Sequence, residues 1–253
     1  MQLTQQERYH DFYSDWAELR QLFRFDVRYR CRRIQTLLAE HDIDCEGKRV
    51  LDVGFGTGAL LATFPKSCQI TGADISSSAV EKAEHDPKLQ SYASTRFVTV
   101  DEDDPTDLPE GPFDIVISSH TLEHVRDDRL ALLTMRERLA PGGHLVLFVP
   151  LEEPDYIPFH LRNYSLQSIV ERVRQARFEI EHVEPSMSVN GHVWKVLTIP
   201  SRRQWPVMDK VVDALRLTSL SAVPLPLLSK LDRLLFGLGV GPRQALVLAR
   251  PGR

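Results

Sequence analysis

Asp52, Gly54, Gly56 and Gly58 alternate through the stretch Val50-Leu51-Asp52-Val53-Gly54-Phe55-Gly56-Thr57-Gly58-Ala59-Leu60-Leu61. An apolar run carrying one acid breaks into three glycines and turns apolar again. That pattern predicts a buried parallel strand, a tight turn and a helix start. Glycines let a ligand approach the backbone closely and permit positive φ. Free N–H groups at a helix start would then face whatever fills the crevice. Gly54, Gly56 and Ala59 also satisfy the dinucleotide spacing G-x-G-x-x-A, a weak match alone. Asp52 weighs against a pyrophosphate, which a carboxylate would repel, and for a ligand carrying a cationic group. A second acid, Asp74, ends the run Gln69-Ile70-Thr71-Gly72-Ala73-Asp74, 20 residues after Gly54. At that interval a carboxylate meets ribose hydroxyls in a βαβ nucleoside site, and one carboxylate can accept from both the 2′- and 3′-hydroxyls.

Asp52-x-Gly54-x-Gly56-x-Gly58 resembles the first motif of class I S-adenosylmethionine (SAM)-dependent methyltransferases. The segment Gly111-Pro112-Phe113-Asp114-Ile115-Val116-Ile117-Ser118-Ser119-His120-Thr121-Leu122-Glu123-His124-Val125 resembles that family's fourth-strand motif. Leu139-Ala140-Pro141-Gly142-Gly143-His144-Leu145-Val146-Leu147-Phe148-Val149-Pro150 resembles its helix-turn-fifth-strand motif. The resemblance covers about residues 45–185 and implies an α/β fold, a Rossmann-like seven-stranded sheet with SAM as cofactor. It implies that Gly54, Phe55, Gly56 and Gly58 lie along the methionine part of SAM and that Asp52 helps to fix its ammonium group. Asp74 and Ile75 would meet the ribose, one of Asp101, Glu102 and Asp103 the adenine, and Ser118 and Ser119 the amino acid moiety.

The implied reaction is in-line displacement at the SAM methyl carbon, releasing S-adenosylhomocysteine. The expected acceptor is the O or N of a small molecule, phenolic, quinone-like or a natural product. Alignment of acceptor and methyl supplies much of the acceleration, and a phenol or alcohol also needs a base, commonly histidine. His160, His120 and His124 are the candidates, in that order. For His124, within Leu122-Glu123-His124-Val125, a packing or orienting role competes. His160 lies in Phe159-His160-Leu161-Arg162-Asn163-Tyr164-Ser165, where Arg162 and Tyr164 would bind substrate or tie the loop down. No catechol-type cluster of acids is evident, so no metal is expected. The fourth-strand segment lacks an N/D-P-P-Y/F motif, which weighs against a nucleic-acid N-methyltransferase of that type. The motifs bind SAM without specifying which bond breaks. A second reading is therefore intramolecular alkylation releasing methylthioadenosine, and a third is a SAM-binding module with a membrane- or partner-binding tail.

The elements that must position these groups divide the chain into four parts. Residues 1–44 read as an N-terminal helical lid. Thr4-Gln5-Gln6-Glu7 has the form of a capping box, and Tyr9, Phe12, Tyr13, Trp16, Leu19 and Phe23 recur at helical spacing. Tyr13 and Trp16 are expected on the substrate side. Val27, Cys31, Ile34, Leu37 and Leu38 continue a helical face, with Arg28, Arg30, Arg32 and Arg33 as a solvated one. Residues 45–184 form the SAM-binding core, including a short helix after the glycine turn that Pro65 ends, and a helix capped near Ser78. Gln244-Ala245-Leu246-Val247-Leu248-Ala249 reads as the final strand, antiparallel beside the sixth, within a terminal piece 244–253. Residues 185–243 then become a cap insertion over the acceptor side, with Trp194 a substrate contact. Should His192–Ile199 be the final strand, the tail is an appendage instead.

The 253 residues, 42% hydrophobic and 26% charged, suit one soluble domain with additions. A net charge of −4 supplies no field to gather nucleic acid. The balance is uneven: residues 201–253 carry a net +6 and residues 1–200 a net −10. Cys31, Cys45 and Cys68 are odd in number, widely spaced and without C-x-x-C, which fits a reducing compartment. No signal-peptide pattern opens the chain and no apolar run approaches the ~18 residues that span a bilayer. A cytoplasmic location is expected; the basic, leucine-rich tail could touch a membrane, but its amphipathicity is patchy and a packed cap is the simpler expectation. None of the motifs encodes an oligomeric state.

Overall fold

In the computed structural model the described residues are 25–151, 160–186 and 225–252. In chain order they form α1 (Phe25–Glu40), β1 (Arg49–Val53), β2 (Gln69–Asp74), α2 (Ser77–His85), β3 (Ser94–Thr99), β4 (Phe113–Ser119), α3 (Asp128–Glu137), β5 (Leu139–Pro150), α4 (Leu166–Gln175), β6 (Phe178–Ser186), α5 (Leu225–Gly237) and β7 (Gln244–Pro251). Short 3₁₀ turns cover Leu61–Thr63 and Leu122–His124.

The strands make one sheet in the order β3-β2-β1-β4-β5-β7-β6, in which only β7 runs against the others. Gln244 to Ala249 does form the final strand, antiparallel between β5 and β6. The chain steps outward from β1 through β2 to β3, then returns to place β4 on the other side of β1. This reversal opens a crevice at the C-terminal ends of β1 and β4, where open α/β sheets bind ligands. Register fixes what meets there. Val53 pairs with Ala73 on one side and Ser118 on the other, so Gly54, Asp74 and the Ser119–His120 turn leave the sheet together.

Helices cover both faces. Ile34, Leu37 and Leu38 of α1 pack with Val50, Ile70, Ile115 and Phe148 on one face. Ala131, Leu132 and Met135 of α3 and Ile169 and Val173 of α4 pack with Leu51, Val116, Leu145 and Leu147 on the other. Leu145 through Val149 are fully buried, which is why β5 reads as a continuous apolar run. Each such side chain contributes roughly 1.5–3 kcal/mol by leaving water.

Two local expectations change. No α-helix starts at the glycine turn, because Gly58 sits at φ +69 and Pro65 follows too soon for a helix to develop; one 3₁₀ turn forms instead. The cap of α2 is Ser76, whose side chain accepts from the Ala79 N–H, two residues before the expected Ser78. Asp127 and Ser165 cap α3 and α4. Of the expected lid 1–44, residues 1–24 lie outside the described residues, as do the alternative strand His192–Ile199 and most of the expected cap 185–243; α1, the described part of the lid segment, packs on the sheet.

Candidate active site

A cleft of about 840 Å³, including its open mouth, occupies the crevice. Its wall contains Val53, Gly54, Asp74, Ile75, Asp101, Glu102, His120 and His124, so seven of the sequence-predicted site residues converge there. Gly54 has φ +77, and a Cβ on it would lie 2.0 Å from Thr121 Oγ1, which itself donates to the Val53 carbonyl. Glycine is required here both for the turn and for the close approach of the loop after β4.

The two acids behind the glycine turn are desolvated. Asp52 is 2% exposed, and its Oδ1 has no hydrogen-bond partner. Burial, with a further push from nearby Asp74, raises its carboxyl to about 7, against a smaller pull from Arg30. Burial also raises the Asp74 carboxyl, against the backbone N–H groups of Ser76, Gly56 and Ile75. Gly56 N–H donates to Asp74 Oδ2 at 2.8 Å and Ser76 N–H to Oδ1 at 2.9 Å. Each carboxylate oxygen has two lone pairs, so Asp74 keeps acceptor capacity for an incoming ribose beyond its backbone partners.

Arg30 departs from the expectation of a solvated arginine face. Its guanidinium reaches from α1 to donate to Ser119 Oγ at 3.1 Å, at the end of β4. Arg33 likewise turns inward, to Glu184 of β6. One helix thus delivers a cation to the edge where Asp52 and Ser119 lie.

The remaining predicted contacts divide. Phe55 packs its ring into the core, 5.3 Å from that of Phe97 and over Gly72, and Gly58 rests against Leu89. Ser118 is fully buried behind the wall. Of the three acids after β3, Asp101 and Glu102 line the cleft, whereas Asp103 pairs with Arg126 at 2.9 Å. Arg162 donates to the carbonyls of Leu122, Val125 and Arg126. Tyr164 donates to buried Asp128 at 2.8 Å. Both side chains therefore hold the loop after β4, and neither lines the cleft. Tyr13, Trp16 and Trp194 lie outside the described residues.

The histidines gather around one buried acid. Glu123 is fully buried; its Oε1 lies 3.6 Å from His120 Nδ1 and 3.9 Å from His124 Nε2. His160 meets the His124 ring edge-on at 4.8 Å between centroids. His120 stacks on Phe148 and takes a left-handed backbone, φ 58, a conformation that concentrates at functional sites. Donor atoms of Glu123, His124 and His160 all lie within 4.8 Å of one another, a set able to hold a metal ion. The sequence has no catechol-type cluster of acids; this group is one acid with two histidines, and the fold brings His160 to it from beyond β5.

Val100, Asp104, Asp107, Leu108, Thr121, Val125, Ala131 and Met135 also line the cleft, and no sequence motif marks them. Ala131 and Met135, one turn apart on α3, could have been found from helical spacing. Together with Val100, Leu108 and Val125 they make an apolar slot beside the acids.

The family model described as Methyltransferase domain matches residues 20–194. The chain belongs to this methyltransferase domain family. Its sheet order and glycine turn are those of a class I SAM-dependent methyltransferase. Among its relatives, a ubiquinone biosynthesis O-methyltransferase from Alkalilimnicola ehrlichii is 35% identical over 103 residues, which cover 40% of this chain and 41% of that protein. An uncharacterized protein from Haemophilus influenzae is 30% identical over 188 residues, covering 59% of this chain and 74% of that one. The chain thus spans about two fifths of the length of the first of these relatives. In fold it resembles Haemonchus contortus phosphoethanolamine N-methyltransferase 2 in complex with SAM, with a TM-score of 0.60 and 17% identity over 97% of this chain and 60% of that chain. The residues present fit SAM: a buried carboxylate oxygen without a partner, a second acid with free lone pairs, an obligate glycine and an apolar slot.

Proposed function

We propose that this methyltransferase domain transfers the methyl group of SAM to an oxygen or nitrogen of a small, apolar, phenolic or quinone-like acceptor. The observation that carries the cofactor half is the pair Asp52 and Asp74 at the glycine turn, the first with a buried unpartnered oxygen and the second lining the cleft. SAM supplies an electrophilic methyl on a sulfonium when bound. Asp52 takes the ammonium, Arg30 the carboxylate of the same amino acid arm, and Asp74 the ribose hydroxyls. The slot of Val100, Leu108, Val125, Ala131 and Met135 takes the adenine, with Asp101, Glu102 or Asp104 at its polar edge. On the acceptor side His120 and His124 stand at the wall, oriented by Glu123, with His160 behind His124. One of them removes the acceptor proton as the methyl is transferred. The likeness to ubiquinone O-methyltransferases supports the phenolic class of acceptor.

Titration calorimetry with SAM tests the site. Asp74→Ala should weaken binding at least about tenfold, since two hydroxyls lose their acceptor. Unchanged affinity in a folded variant would refute the assignment.

A further inference from the structure

We infer that α5 is a peripheral docking surface for an anionic lipid membrane, independent of which acceptor the cleft takes. Leu227, Leu231 and Leu234 recur at i, i+4 and i+7 along α5. Leu238 continues the stripe through its N–H bond to the Leu234 carbonyl. All four are exposed, Leu234 to 60% and Leu238 to 72%. A helix that packed this face on the core would bury it, since helical spacing places the four residues on one side.

The opposite side of the helix is the one tied down. Asp232 is 6% exposed, and Tyr29 of α1 donates to its Oδ2 at 3.4 Å. That contact fixes which way the leucines face. Tyr29 adjoins Arg30, which reaches Ser119 at the end of β4. At its other end α5 leads to Gln244, paired with Pro150 and Ser186 at the ends of β5 and β6. The leucine stripe therefore belongs to the sheet edge that carries the cleft.

Charge selects the occupant. α5 carries two cations, Lys230 and Arg233, and one acid, Asp232, and that acid is turned inward. Both cations are exposed. Apolar side chains flanked by cations, with no exposed acid on α5 to oppose them, match an anionic headgroup layer with acyl chains beneath it. No helix among the described residues is long and apolar enough to cross a membrane, so the contact is interfacial.

Flotation of the full chain with vesicles tests this, comparing mixed phosphatidylglycerol–phosphatidylcholine with phosphatidylcholine alone. The chain should float with the anionic vesicles at low salt and lose them at high salt. Lys230→Glu with Arg233→Glu should lower partitioning at least about tenfold, as should Leu231→Gln with Leu234→Gln. Both pairs are exposed, and unchanged thermal midpoints would show that the variants fold. Absence of flotation, or flotation that neither pair alters, would overturn the inference. So would light scattering showing a dimer that the leucine pair dissolves while wild type ignores vesicles, which would assign the stripe to a second copy of the chain.

Discussion

Replacing Asp52 by Asn should stabilise the ligand-free protein while weakening its hold on SAM. Burial raises the Asp52 carboxyl from 3.8 to about 7. An acid whose folded value lies above its unfolded one binds more protons when folded. It therefore contributes stability below about pH 4 that is lost as pH rises through about 7. At about 1.36 kcal/mol per pH unit, that interval sets a ceiling of about 4 kcal/mol, which Asn, neutral and of the same shape, does not lose. SAM affinity should move the other way. If its ammonium binds ionised Asp52, affinity should rise about fivefold from pH 6 to pH 7, as the ionised fraction goes from about a tenth to about a half. Urea denaturation across pH 5 to 8 and calorimetry at pH 6 and 7 read the two effects. Wild-type stability should fall over this range where Asp52→Asn stays flatter, and the variant should bind SAM at least about tenfold more weakly. A variant less stable than wild type at pH 8, or one binding SAM as wild type does at both pH values, would sink this account of Asp52.

Gly54→Ala should cost at least about 2 kcal/mol and abolish SAM binding, because the new Cβ meets Thr121 at 2.0 Å in a left-handed backbone. Gly142→Ala, at φ +76 with nothing within 4 Å, should cost about 1 kcal/mol; equal thermal shifts would contradict the close-approach argument. Tyr164→Phe removes a donor from buried Asp128 and should lower stability by about 1–3 kcal/mol with SAM and acceptor affinities unchanged; a weakened acceptor with normal stability would return Tyr164 to the substrate site. Arg30→Ala should weaken SAM about tenfold in calorimetry, and wild-type affinity would show that its bond to Ser119 serves α1 alone.

The sheet was legible because its evidence is local. Buried parallel strands read as apolar runs, and the glycines and acids that end β1 and β2 lie within or next to those runs. Their register then follows from the topology. Even the antiparallel β7 was legible as a run of apolar residues after a basic, proline-rich stretch. What stayed hidden depends on contacts distant in sequence. Arg30 has the flanking pattern of a solvated arginine, and only the docking of α1 turns it toward Ser119, 89 residues away. Arg162 and Tyr164 have types common in substrate sites, and their capture by Asp128 and the carbonyls after β4 is set by how α3 and α4 pack. The grouping of His160 with Glu123 and His124 has the same origin.

Incubating the purified chain with methyl-labelled SAM and a small-molecule extract of the producing cell, followed by mass spectrometry, tests the central claim most directly. Methyl transfer predicts S-adenosylhomocysteine that appears only with extract, together with one metabolite heavier by the labelled methyl. Asp74→Ala should suppress both products. Methylthioadenosine formed without extract, or a labelled metabolite that Asp74→Ala leaves undiminished, would contradict methyl transfer in this cleft.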